Sequence, residues 1–257
     1  MKNGTYKILV LSDLKASTTE LLKSTASFAN MIDGEVHLFH VKKGTEIVKT
    51  ASQLSAKREI NEYNINADKN IKNLIKPISK QYNLDIKYRF SLGNVKDEID
   101  KHIKQVNPDV IVLGKRKSKP LKLIGDNVTN FILKRFNKAV MIVSDDNNLG
   151  PDADLSIGLL NGTNAALTEG LSGNLIRNTK RPLTSFKVGS QSKETIVSEN
   201  KVVEFVFEEN DNTINTLSDY ISKKKVNLLC IDRNTTSKKD NYTNAVINKV
   251  NVSLLVT

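Results

Sequence analysis

The first apolar run, "YKILVLS" at 6–12, is nearly unbroken, the pattern of a strand covered on both faces. The period then changes. Across "STTELLKSTASFANMI" (17–32), Leu21, Leu22, Thr25, Phe28, Ala29 and Ile32 fall on one helical stripe, with Ser17 or Thr18 placed to cap it. "EVHLFHV" (35–41) returns to strand. A long polar stretch ends in a helix predicted around 66–82, which Pro77 should kink or divide. Residues 42–65, polar and weakly periodic, are expected to be the least ordered internal segment. "DIKYRFS" (85–91) reads as strand, "VKDEIDKHIKQV" (95–106) as helix and "DVIVLG" (109–114) as a buried strand. A helix over 126–136 and "AVMIVS" (139–144) complete the series.

The acidic, Asn/Gly/Pro-rich stretch "DDNNLGPDAD" (145–154) interrupts this order. The order then returns: strands at 155–160, 182–188, 202–209, 227–232 and 252–256, with helices at 163–178, 213–224 and 242–249. Residues 93–114 align without gaps to 211–232, so that Ile99 meets Leu217, Ile103 meets Ile221, and Val110 to Leu113 meet Leu228 to Ile231. A repeat of this length points to tandem domains rather than a solenoid. Strands separated by helices predict right-handed crossovers and parallel sheets. The expected fold class is therefore α/β, with two Rossmann-like (flavodoxin-like) domains at 1–146 and 147–257. Each should have a parallel sheet of its own, and the last strands should contribute to the domain contact. The second copy lacks the long helical insert between its second and third strands.

Composition narrows the function. No apolar stretch approaches the roughly 20 residues that span a bilayer, and the N-terminus lacks the h-region and cleavage site of a signal peptide, so a cytoplasmic location is expected. Cys230 is the sole cysteine; within "NLLCIDR" it should be a buried structural thiol, and it excludes disulfide frameworks and Cys-based zinc sites. His37 and His40 stand three apart on a strand and face opposite sides, while His102 is expected on a helix surface beside Lys101 and Lys104. No metal site is expected. The net charge of +11 favours anionic partners. With no Trp and no groove-reading motif, sequence-specific nucleic-acid binding is not expected.

In an open parallel sheet, ligands bind beyond the carboxyl ends of the strands where strand order reverses. The loops after Ser12 and Leu113 would share that crevice. Asp13 could accept hydrogen bonds from a ligand or cap the next helix; position alone leaves both readings open. "GKRKSKPLKLIG" (114–125) supplies Lys115, Arg116, Lys117, Lys119 and Lys122, followed by a helix N-terminus suited to phosphate.

"KILVLSD", "EVHLFHV", "GNVKDEIDKHIKQVNPDVIVLG" and "FNKAVMIV" together resemble the universal stress protein family in its tandem form, strongly over 6–143 and more weakly over 155–257. Nucleotide-binding members of that family carry Gly-x2-Gly-x9-Gly-Ser/Thr after the fourth strand. Here Gly114 stands at the first glycine, Lys117 replaces the second, and seven residues rather than nine separate Lys117 from Gly125. Asp126 and Asn127 occupy the hydroxyl position. The resemblance implies that Asp13 would contact adenosine, Val41 would line the base pocket, and Gly114, Lys115, Lys117, Gly125, Asp126 and Asn127 would hold phosphates. Three departures in one motif favour an altered site with weak affinity at most for ATP, ADP or AMP, and no cofactor is required. In the second copy Asn161 takes the place of Asp13, Asp232-Arg233 replace Gly114-Lys115, and no nucleotide is expected. The expected function is a noncatalytic stress-response and interaction module whose halves pair within the chain, with a homodimer or protein partner left open. The alternative is an ATP-binding protein with slow ATP hydrolysis.

Overall fold

The computed structural model describes residues 5–49, 52–115, 128–144, 149–150, 154–162, 170–179, 181–189, 201–232 and 240–257. The first half runs β1 (Tyr6–Ser12), α1 (Thr18–Ile32), β2 (Gly34–Lys42), a 3-10 turn (Gly44–Glu46), α2 (Gln53–Tyr82), β3 (Ile86–Leu92), α3 (Val95–Val106), β4 (Val110–Gly114), α4 (Val128–Arg135) and β5 (Ala139–Val143). The second runs β6 (Ile157–Leu160), α5 (Gly170–Asn178), β7 (Leu183–Val188), β8 (Val202–Phe207), α6 (Thr213–Lys223), β9 (Leu228–Ile231), α7 (Asp240–Lys249) and β10 (Ser253–Val256).

Within the first half every strand pairing is parallel, in the order β3-β2-β1-β4-β5. The second half repeats it as β8-β7-β6-β9-β10. Both halves thus have the expected fold. The sheets are not separate, however. β5 and β10 pair antiparallel, through Val140–Val256, Met141–Leu255 and Ile142–Leu254, and join all ten strands into one sheet. This corrects the expectation of two independent sheets. The cause is the apolar character of both last strands, which are buried and would otherwise be open edges. The expected part of the last strands in the contact is seen.

Side chains alternate between the two faces of the sheet, and a core lies on each. One contains Ile8, Val10, Val112 and Met141 together with Ile157, Leu159 and Leu255, packed beneath α1, α2 and α5. The other contains Leu9, Leu11, Ile111 and Ile142 with Leu160, Leu229 and Leu254, packed beneath α3, α4, α6 and α7. Both cores cross the β5–β10 junction. Cys230 belongs to the first, and burial pushes its thiol pKa up to about 12, as befits an inert structural cysteine.

Much of 42–65, expected to be the least ordered internal segment, is helical. α2 begins at Gln53, and Ala56, Ile60 and Tyr63 are half-buried on the stripe that continues through Ala67, Ile71, Ile75, Ile78 and Tyr82. Its exposed faces carry strong helix formers such as Lys57, Arg58 and Glu62, which favour the helix where the apolar stripe is thin. Nor does Pro77 divide it: the helix continues to Tyr82 and ends at Asn83, whose φ of 49° gives a left-handed cap. Asn30 of α1 donates to the Tyr82 carbonyl at 3.1 Å and secures that end.

His102 also departs from expectation. It is buried, its ring stacked on Phe39 with centroids 4.0 Å apart. The flanking lysines point outward while the imidazole serves as the apolar element of α3, beside Ile99.

Candidate functional site

The sheet order places β1 beside β4, and their carboxyl ends form the switch point. β1 ends at Ser12, and a tight turn follows. Ser12 Oγ accepts from Leu14 N at 3.1 Å and lies 2.8 Å from Thr18 Oγ1 at the start of α1. Leu14 has a φ of 57°, a conformation a leucine adopts only when its surroundings hold it. Asp13 Oδ1 accepts from Lys15 N at 3.3 Å, and Oδ2 lies 3.1 Å from Lys15 Nζ. That backbone contact is made three residues before α1 begins, within the turn itself. Its side chain remains 35% exposed, open to a ligand.

Beside it, His40 at the end of β2 is 3% exposed and bonded at both ring nitrogens. Nδ1 lies 2.8 Å from the Ser12 carbonyl oxygen, and Nε2 lies 2.8 Å from the Tyr63 hydroxyl of α2. A carbonyl can only accept, so Nδ1 carries the proton; the neutral ring then accepts from Tyr63 at Nε2. Burial pushes the His40 pKa below its usual value; the Ser12 bond opposes this, Lys42 reinforces it and Asp13 opposes it. Burial, aided by Glu46, pushes the Tyr63 pKa up.

Val41 is half-buried and packs against the second core. Gly114 closes β4 opposite Val143. Among the described residues, a Cβ at Gly114 would meet only Leu21 Cδ2, at 3.9 Å. Lys115 N donates to the Val143 carbonyl at 2.7 Å, and its ammonium donates to the Val250 carbonyl just past α7. Lys115 was expected on a ligand phosphate; its ammonium bonds across the junction, where a cation suits the carboxyl end of a helix. Ser144 bonds across the same junction, to Asn251 Oδ1 at 3.0 Å. Lys117, Gly125, Asp126 and Asn127 lie outside the described residues. At the rim Lys42 pairs with Glu46.

The second half differs in register as well as in chemistry. Leu11 pairs with Leu113, and Leu160 pairs with Ile231, the counterpart of Leu113. Leu160 is therefore the counterpart of Leu11, Asn161 that of Ser12, and Gly162 that of Asp13. The sequence placed Asn161 against Asp13, one residue off; only the strand pairings fix the offset. Asn161 has a φ of 48°, and its Oδ1 accepts from Val188 N at 2.8 Å. Since Val36 and Leu183 take equivalent places beside β1 and β6, Val188 is the counterpart of Val41. The two strand ends are stitched together by Asn161, and the position of Asp13 carries no carboxylate.

Among the described residues, no group of three or more His, Cys, Asp or Glu side chains could hold a metal ion. His37 stands 3.7 Å from Glu35, away from buried His40, as the alternation of the strand requires. Ser12, Thr18, His40 and Tyr63 were not among the site residues expected from sequence. The register that sets Ser12 beside His40 links those two; Tyr63 fell in the stretch expected to be the least ordered.

In a parallel α/β sheet whose order reverses between β1 and β4, the switch point beside Asp13 is where such folds place their ligands. The universal stress protein family profile matches residues 5–144, more than half of the 257-residue chain, and the chain belongs to that family. A universal stress protein from Archaeoglobus fulgidus is 15% identical, covers 97% of this chain with 95% of its own, and superposes with a TM-score of 0.70. A functionally unknown protein from Pseudomonas aeruginosa is 14% identical, with coverages of 98% and 92% and a TM-score of 0.61. Both show the fold along nearly the whole chain. No curated protein matches the sequence significantly.

Proposed function

We propose that this chain is a noncatalytic, cytoplasmic stress-response module whose first half takes an adenine nucleotide weakly, and whose second half is a degenerate copy serving as a built-in partner. The observation that carries the reading is the Asp13 carboxylate, held in a braced turn yet one-third exposed at the switch point, beside the end of β4 at Gly114. Weak affinity follows from the altered motif, while Lys115 already gives one of its three donors to Val250. The Asn161 stitch and Gly162 leave the second half without the equivalent carboxylate. Among the described residues no helix is long and apolar enough to cross a membrane, which accords with a soluble role.

Calorimetric titration of the intact chain with ATP, ADP and AMP tests the reading. A dissociation constant weaker than about 10 μM, corresponding to about 7 kcal/mol, is expected, and Asp13→Ala should abolish the heat. Silence for all three nucleotides would leave only the interaction role. Steady-state phosphate release well above that of a Lys115→Ala/Lys117→Ala variant would favour slow ATP hydrolysis instead.

A further inference from the structure

We propose that His40 and Tyr63 are positioning residues for Asp13: the imidazole, braced from α2, fixes the peptide plane that presents the ligand-facing carboxylate. The inference rests on reading the first crevice as a nucleotide site.

The Ser12 carbonyl and the Asp13 amide belong to one planar peptide unit. A hydrogen bond to the Ser12 oxygen therefore sets the orientation of that plane and restricts where the Asp13 side chain can point. His40 Nδ1–H supplies the bond at 2.8 Å. The ring cannot swing away, because it is buried and Tyr63 holds its far nitrogen at 2.8 Å. On the other side of the plane, Ser12 Oγ holds Leu14 N and Asp13 Oδ1 holds Lys15 N, so residues 13–15 are fixed in succession. Leu14 stays in its left-handed conformation for the same reason. Tyr63 lies in the amino-terminal part of α2, and its half-buried position makes its hydroxyl the helix's contact with the strand ends.

The two nitrogens can be tested separately. Asparagine places its amide near the position of Nδ1 and keeps a donor for Ser12. Glutamine reaches the position of Nε2, keeps a partner for Tyr63 and gives up Ser12. In the full chain, His40→Gln should weaken ATP binding about tenfold, the loss expected for one buried hydrogen bond, and speed amide exchange at Leu14 and Lys15. His40→Asn should lose less on both measures. Tyr63→Phe, which removes one hydroxyl, should weaken ATP binding about threefold and carries the test if His40→Gln does not fold. Equal losses in the Asn and Gln variants, or an unchanged affinity in Tyr63→Phe, would overturn the assignment. If the unmodified chain gives no heat with ATP, the nucleotide reading fails, and the exchange rates still decide the positioning: faster exchange in Gln than in Asn upholds it, equal exchange overturns it.

Discussion

Met141 and Leu255 lie opposite each other in the antiparallel junction, and each occupies in its own half the place the other occupies in its half. β4 meets β5 from Val110 and Ala139 onward, and β9 meets β10 from Leu228 and Ser253 onward, so Met141 and Leu255 stand at the same step. Their flanking pairs, Ile142 with Leu254 and Val140 with Val256, are reciprocal. A pseudo-twofold axis therefore passes through this one pair, the arrangement of an isologous dimer interface.

Because both cores cross that axis, the halves should unfold together. Leu255 is fully buried, and Leu255→Ala should cost about 2–5 kcal/mol. Urea denaturation followed by amide exchange in β1 and in β6 should lose protection at one midpoint. Two well-separated midpoints would mean that the halves are independent.

Lys115 adds a polar tie near the same place. Lys115→Met keeps the length of the stem and removes the charge-assisted bond to Val250, which should cost about 1.5–3 kcal/mol. A denaturation midpoint equal to that of the unmodified chain would show that the contact contributes nothing.

Two glycines should respond oppositely to a methyl group. At Gly158 a Cβ would meet Leu229, Phe186 and Val226 at 3.0 Å each, so Gly158→Ala should destabilise by about 1–3 kcal/mol through overpacking. Gly114→Ala, with Leu21 no closer than 3.9 Å, should leave the melting temperature within a degree or two by the same packing argument. Equal effects at the two positions would contradict the packing described.

The pH dependence follows from His40 and His102, both held below their ordinary pKa, chiefly by burial. In the unfolded chain each titrates near 6.5 and takes a proton before the folded chain does. Stability should be full above pH 6.5 and fall as pH drops from there toward the lowered folded values. Carboxylates stabilised by lysines, such as Glu98 and Asp100, act lower, below about pH 4.5. Urea midpoints at pH 8, 6.5 and 5 should show the decline, and His102→Gln should flatten it. A midpoint that does not change between pH 8 and 5 would exclude the histidines as its source.

Sequence pattern located every strand among the described residues because buried parallel strands are short, apolar and bounded by polar turns, as "DVIVLG" and "NLLCID" illustrate. It failed where tertiary contacts overrode local composition. The amino-terminal turns of α2 are polar, and their packing depends on a stripe only half covered; His102 looked solvated because its sequence neighbours are lysines. The site was legible at Asp13, which ends a strand, but not at Tyr63, whose partner His40 is 23 residues away. The offset of Asn161 escaped because a one-residue shift leaves the apolar pattern of β6 unchanged.

The antiparallel seam has a consequence for how the halves can change over time. Two separate subunits meet only as often as their concentration allows, and dilution parts them. Here the partner is tethered, so its effective concentration is set by the linker and is indifferent to expression level. Every first half has one second half, in fixed one-to-one proportion. The second half can give up an aspartate for Gly162 and close its strand ends with Asn161 without the first half losing its support.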